Sequence, residues 1–249
     1  MEAATGSPEG VLQYLPGPGS EVGLALVERA ARMAPGQRQV KRVIAEMGGK
    51  NAIIIVGAAY DEALGRLCHA VESLVVGPPH DPATQVPPLI KTAARKKVQG
   101  YILGAKSYAR IAAQATVPSV EGCYVPPTVV TGVPLDSPLA REEVFGPVLA
   151  IFRAASFEEA LILASDSDYA LTGGVFSRNP RNIERARSSF RVGNLYVNRR
   201  ITGAQVGRQP FGGFARSGFG EKAGGPDYVR QFMQPRLITE NTMRRGFAP

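Results

Sequence analysis

Along the chain, short apolar runs alternate with stretches in which apolar residues recur every three or four positions. VLQYL (11–15), KRVIAEM (41–47), NAIIIV (51–56), TGGVFS (172–177) and GNLYVN (193–198) have strand character. NAIIIV is a continuous run rich in β-branched residues, the pattern of a strand buried on both faces. Helical spacing lies between these runs. After the turn PGPG, Ser20 caps a helix with Val22, Leu26, Ala30 and Met33 on one face, and Pro35-Gly36 ends it. Residues 60–75 put Leu64, Leu67, Cys68, Val71, Leu74 and Val75 on one stripe, and 91–106 align Ala94, Val98, Ile102 and Ala105. Ser156 and Glu159 form a capping box, and a helix over 180–190 separates the last two strong strands. The prolines of GPPHDPATQVPP (77–88) forbid regular structure, and 203–225 is glycine-rich loop. RLITE (236–240) reads as a last strand before a tail. Strand–helix alternation of this kind implies an α/β fold, a mostly parallel sheet with flanking helices.

Composition changes that picture little. The 249 residues are 44% hydrophobic and 20% charged, enough for a sizeable core in one large domain or two small ones. No apolar run is long enough to span a bilayer, and MEAATGSPEG lacks the basic and apolar start of a secretory signal, so a soluble cytoplasmic protein is expected. Two cysteines, Cys68 and Cys123, are too few for a disulfide framework. The net charge of +8 raises the question of nucleic acid, but the basic residues are scattered and no recognition signature accompanies them. A solvated basic surface, with neither a nucleic-acid nor a membrane partner, is the expectation.

Several short patterns have chemical potential. GPGSEVG (17–23) has GxGxxxG spacing, which is not a dinucleotide fingerprint; it is either a phosphate-binding helix start or a plain strand–helix turn. Glu46 precedes Gly48-Gly49 between two strands, where it is either a general base or an ordinary exposed carboxylate. Cys68, His69, His80 and Cys123 lack metal-ligand spacing, so no metal site is expected.

Four stretches together, EMGGKN (46–51), EEVFGPV (142–148), GNLYVN (193–198) and PFGGFARSG (210–218), resemble the aldehyde dehydrogenase superfamily. Within it, KRVIAEMGGKNAIII, TGAQVGRQPFGGF and AGGPDYVRQFMQPRLITENTMRRGFAP are similar to the Δ1-pyrroline-5-carboxylate (L-glutamate γ-semialdehyde) dehydrogenases of proline catabolism. The resemblance implies NAD as cofactor and oxidation of an aldehyde to an acid through a cysteine thiohemiacetal. It makes Glu46 the general base and places the Met47 backbone beside the nicotinamide. Glu143 would hold the nicotinamide ribose, with Phe145 packed near the ring. Gly203 and Ala204 would belong to the loop that anchors the substrate carboxylate, and Phe211 would line the aldehyde pocket. The C-terminal residues resemble a β-arm that mediates assembly, with itself or with a full-length aldehyde dehydrogenase.

The departures are as informative. In the family a helix, a loop carrying the nucleophilic cysteine and a further strand follow the E-M-G-G-K-N strand. Here NAIIIVGAA runs directly into YDEALGRLCHAVESLVVGPP, which resembles the helix after all of these. Cys68 sits on the apolar stripe of that helix and is expected in the core. The reading is therefore a truncated aldehyde-dehydrogenase-like fold. Residues 1–46 are a remnant of the nicotinamide-binding domain, 47–230 a catalytic-domain-like region without the nucleophile segment, and 231–249 an oligomerisation arm and tail. NAD binding is doubtful and the isolated chain is expected to be inactive. A binding or assembly module, or an enzyme with a relocated nucleophile, remain the alternatives.

Overall fold

The computed structural model describes residues 22–37, 41–56 and 60–241. VLQYL, Ser20 and most of GPGSEVG lie outside them. Two compact units divide the chain, 1–45 and 46–249. In the first, α1 (Leu24–Ala30) is shorter than the periodicity implied and buries none of its residues. Leu26 is 51% exposed and Met33, beyond the helix end, 54%, so the expected apolar face has no described core beneath it.

KRVIAEM contracts to a two-residue strand, β1 (Ala45–Glu46), because Gly48-Gly49 follow at once. Onward from there the order is β2 (Ala52–Ile55), α2 (Tyr60–Glu72), α3 (Thr92–Ala105), β3 (Arg110–Gln114), β4 (Thr128–Thr131), α4 (Pro138–Arg141) and β5 (Val148–Ile151). Then come α5 (Phe157–Ser165), β6 (Tyr169–Ala170), β7 (Thr172–Phe176), α6 (Pro180–Ser189), β8 (Asn194–Val197), β9 (Phe214–Ala215) and β10 (Gly218–Phe219). A short 3-10 turn at Arg230–Phe232 closes the series.

Two three-stranded sheets carry the unit. One has the order β2-β7-β8 and is wholly parallel, with Ile54 opposite Val175 and Gly174 opposite Tyr196. The other, β3-β4-β5, joins an antiparallel pair with a bulge to a parallel one. Ile54 and Val175 point from the first sheet into a core closed by Leu161 of α5 and by Ala186 and Phe190 at α6. Burial of these side chains stabilises by about 1.5–3 kcal/mol for each large aliphatic or aromatic group. Val98, Ile102 and Ala105, on one face of α3 as their spacing required, pack with Val125, Val130, Leu139 and Val144 into the second core. The α5 capping box forms in modified geometry. Ser156 Oγ accepts from the Glu159 amide at 3.1 Å, while the Glu159 carboxylate reaches back to the Ala155 amide, not to that of the cap residue.

Three expectations need correction. NAIIIV is not buried on both faces: Ile53 is 48% and Ile55 65% exposed, because β2 is the end strand and the core lies on the Ile54 side alone. The stripe of α2 is only half-buried, and Cys68 with it, since no residue of that helix is fully covered. RLITE forms no strand among the described residues: 236–240 join no ladder, and Leu237 and Ile238 lie exposed. Among the described residues no helix is long and apolar enough to cross a membrane.

Candidate active site

The residues Glu46 to Lys50 connect β1 to β2 and lie over the 139–145 turn. The Gly49 amide donates to Glu143 Oε1 at 2.7 Å. A Cβ on Gly48 would stand 2.6 Å from that same oxygen, so the carboxylate can seat here only against glycine. Lys50 continues the attachment, its ammonium donating to the carbonyls of Leu139 at 2.8 Å and Glu142 at 3.0 Å. Burial pushes the Lys50 pKa down, and the charges of Glu142 and Glu143 pull it partly back. From α3, Lys97 donates to the Glu143 carbonyl at 2.8 Å and the Tyr101 hydroxyl donates to the Glu142 carboxylate. Desolvation and then that hydrogen bond push the Tyr101 pKa up to about 12. The acidic turn is thus braced on both sides.

Phe145 projects from this turn. It has φ of 57° and is 77% exposed. The left-handed region costs a non-glycine residue roughly 1–2 kcal/mol, and an exposed ring recovers little of it by packing. Strain held at an exposed aromatic is the pattern of a residue kept for a ligand.

Glu46 and Met47 are both exposed, and the Met47 amide donates to the Ser217 carbonyl at 3.1 Å. Ser217 is fully buried, and its Oγ accepts from the Ala170 amide at 3.0 Å. One serine therefore links the Glu46-Met47 segment to the loop that follows β8. Phe211, half-buried, belongs to that loop and exchanges two backbone bonds with Ala223. Lys222 holds the loop to β8, its ammonium donating to the carbonyls of Gly193 and Gly212 and to Asn194 Oδ1. Burial pushes the Lys222 pKa down. Gly203, at φ of 77°, and Ala204 lie exposed at the start of the same loop.

Glu46, Met47, Glu143 and Phe145 are therefore brought to one region through Gly48-Gly49. Phe211 lies on the same loop as Ser217 but is bonded to Ala223, and among the described residues no contact ties it, Gly203 or Ala204 to the glutamates. Neither cysteine touches these residues. Cys68 is on α2, and the Cys123 sulfur sits 3.8 Å from Thr92 Oγ1 at the start of α3. His69 and His80 are exposed, and no cluster of metal-ligating side chains occurs among the described residues. The supporting roles of Lys50 and Ser217 had a signal, because both lie inside quoted motifs. Lys222 had none, since three carbonyl-type acceptors converge on it only in the fold.

The sequence profile of the aldehyde dehydrogenase family matches residues 53–238. The chain is 38% identical to 1-pyrroline-5-carboxylate dehydrogenase of Bacillus subtilis over 294 residues, covering 96% of this chain and 57% of that protein. Those 294 matched residues exceed the 249 of the whole chain, so at least 45 of them have no counterpart in it. Among solved structures, proline utilization A from Bdellovibrio bacteriovorus, inactivated by N-propargylglycine, superposes with a TM-score of 0.89 at 40% identity, over 99% of this chain and 31% of that one. A Thermus 1-pyrroline-5-carboxylate dehydrogenase with bound NAD gives a TM-score of 0.83 at 38% identity, over 93% of this chain and 55% of that one. The chain spans about half the length of the curated relatives it matches. On the family match and this likeness in sequence and fold, the chain belongs to the aldehyde dehydrogenase family.

Proposed function

We propose that this chain is the part of an L-glutamate γ-semialdehyde dehydrogenase that holds the nicotinamide end of NAD, the general base and the substrate anchor, and that the isolated chain does not turn over. The observation that carries the reading is the Glu143 carboxylate seated on Gly48-Gly49 beside the strained, exposed ring of Phe145. One carboxylate oxygen is engaged by the Gly49 amide, while Oε2 accepts no hydrogen bond among the described residues. That oxygen suits the hydroxyls of a nicotinamide ribose, and the Phe145 face suits the ring. NAD, when bound, accepts the hydride. Glu46, exposed and close to the Met47 backbone, is placed to take a proton from water. Phe211 and the Gly203-Ala204 loop would receive the aldehyde and its carboxylate.

The missing partner is a thiol. With Cys68 and Cys123 held elsewhere, no nucleophile faces the base, and loss of one catalytic member typically costs several powers of ten in rate. Calorimetric titration with NAD⁺ and an NADH assay with L-glutamate γ-semialdehyde test both parts. Weak NAD⁺ binding that Glu143→Gln and Phe145→Ala each diminish is expected, with no NADH formed. NADH production abolished by Glu46→Gln would overturn the inactive reading. If that production also fell with Cys68→Ser, the half-exposed Cys68 would be the relocated nucleophile. The exposure of Leu237 and Ile238 favours a second role, assembly with itself or with a full-length relative through 231–249. Mass measurement in solution for the chain and for Leu237→Asp tests it: the variant loses the assembly, or no assembly exists.

A further inference from the structure

A cavity of about 230 Å³ opens where the start of β2, the end of α5, β6, β7, β9 and the residues after α6 meet. Lys50, Ser165, Tyr169, Thr172, Arg191 and Phe214 line it, with alanines and Val192 between them, and no acidic side chain is in its wall. The acids nearest in sequence are both neutralised, Asp166 by Arg141 at 2.7 Å and Asp168 by Arg216 at 3.1 Å. Lys50 has its ammonium on the carbonyls of Leu139 and Glu142, and the charges of Glu142 and Glu143 act on it. Arg191 has no such compensation: it is exposed, and among the described residues its guanidinium meets neither a carboxylate nor a carbonyl.

Hydroxyls add to that free charge. Those of Ser165 and Tyr169 make no hydrogen bond among the described residues. Thr172 is only 3% exposed, and its Oγ1 is buried without a partner. A buried hydroxyl left unpaired is costly, and in a native fold it calls for a water, an ion or a ligand beside it. The alanines, Val192 and Phe214 make the rest of the wall apolar.

Size and charge together narrow the occupant. Pockets for drug-sized molecules run to about 300–1,000 Å³, so this one takes something smaller than a dinucleotide. A single unpaired guanidinium matches a carboxylate through two parallel N–H···O bonds. A doubly charged phosphate would require a second free cation, which Lys50 is not. The apolar remainder suits a carbon body beside the charge. We propose that this cavity binds a small organic monocarboxylate, with its charged end on Arg191 and the hydroxyl donors of the wall and its body against Phe214 and the alanines. The proposal uses none of the NAD, base or substrate-anchor assignments.

Titration of the full chain with benzoate, followed through amide chemical shifts, tests it, with benzamide as the uncharged control. Saturable shifts at Ala170, Val192 and Ala215 are expected. For so small a ligand the Kd should be about a millimolar, and benzamide should bind about tenfold more weakly or worse. Arg191→Gln should weaken benzoate about tenfold, the loss of one charge-assisted pair, and leave benzamide unchanged. The amide spectrum of the variant checks that its fold is kept. Ser165→Leu, also at an exposed position, fills the cavity and should abolish binding. Equal binding of benzoate and benzamide, or benzoate affinity unchanged in Arg191→Gln, would overturn the proposal. So would shifts confined to Gly203, Ala204 and Phe211, which would put the carboxylate in the substrate anchor and support the functional reading instead. Absence of any saturable shift on folded protein would also overturn it, while leaving the outcome of the NAD⁺ titration untouched.

Discussion

Ser217→Ala isolates the link between the two halves of the candidate site. Ser217 is fully buried and Ala170 nearly so, and the amide of Ala170 has the serine oxygen as its acceptor at 3.0 Å. Alanine removes the acceptor, leaves almost the same volume, and orphans a buried N–H. A stranded buried donor costs about 1–3 kcal/mol. Taking about 2 kcal/mol, and about 2–4 °C per kcal/mol for a chain of this size, the melting temperature should fall by about 4–8 °C. Ser188→Ala is the matched control. Its hydroxyl donates to the Arg185 carbonyl on the exposed face of α6, and it should stay within about 0.5 kcal/mol of the parent. Local exchange gives a second readout: the amides of Ala170 and Met47 should both exchange faster in Ser217→Ala, since the same residue holds each. A melting temperature indistinguishable from the Ser188→Ala control, with the Met47 amide unchanged, would refute the claim that Ser217 couples the Glu46-Met47 segment to the loop.

Lys222→Met keeps the aliphatic stem and removes the ammonium from the Gly193 and Gly212 carbonyls and Asn194 Oδ1; a loss of about 2–3 kcal/mol in urea denaturation is expected, tempered by relief of the burial that depresses its pKa. Phe145→Gly relieves the positive φ and should stabilise the fold by up to about 1 kcal/mol while weakening NAD⁺ binding, so a thermal melt and a titration should move in opposite directions. Tyr101, raised from 10.0 to about 12, stays protonated in the folded chain while its unfolded counterpart ionises; its contribution to stability is complete below pH 10 and lost as pH rises through 12. Phenolate absorbance should show one late-titrating tyrosine, absent in Tyr101→Phe. Lys50 has the opposite sign: its folded pKa lies below 10.5, the unfolded chain holds more protons just under that value, and Lys50→Met should remove a rise in stability there.

The helices and the β7–α6–β8 unit were legible because their side chains face a core that the chain itself supplies. Val98, Ile102 and Ala105 are buried as spacing required, and Asn179 and Ser156 cap where a helix must start. Errors arose where a pattern presumes a neighbour. NAIIIV announces a strand with partners on both sides, and the leucine stripe of α2 a surface to lie on, but local sequence does not state whether the neighbour exists. Within the site, Glu46, Glu143 and Phe145 could be named from motifs, yet the clamp by Lys222 and the strain at Phe145 are products of tertiary geometry, which no spacing encodes.

The residues around Glu46 and Glu143 are held by separate parts of the chain. Glu46 and Met47 are held by Ser217 from the loop after β8, and Glu143 by Gly49, Lys50 and α3. Elsewhere, Ile53, Ile55 and Leu149 are each left with apolar surface that a covered strand would remove from water at roughly 25 cal/mol per Å².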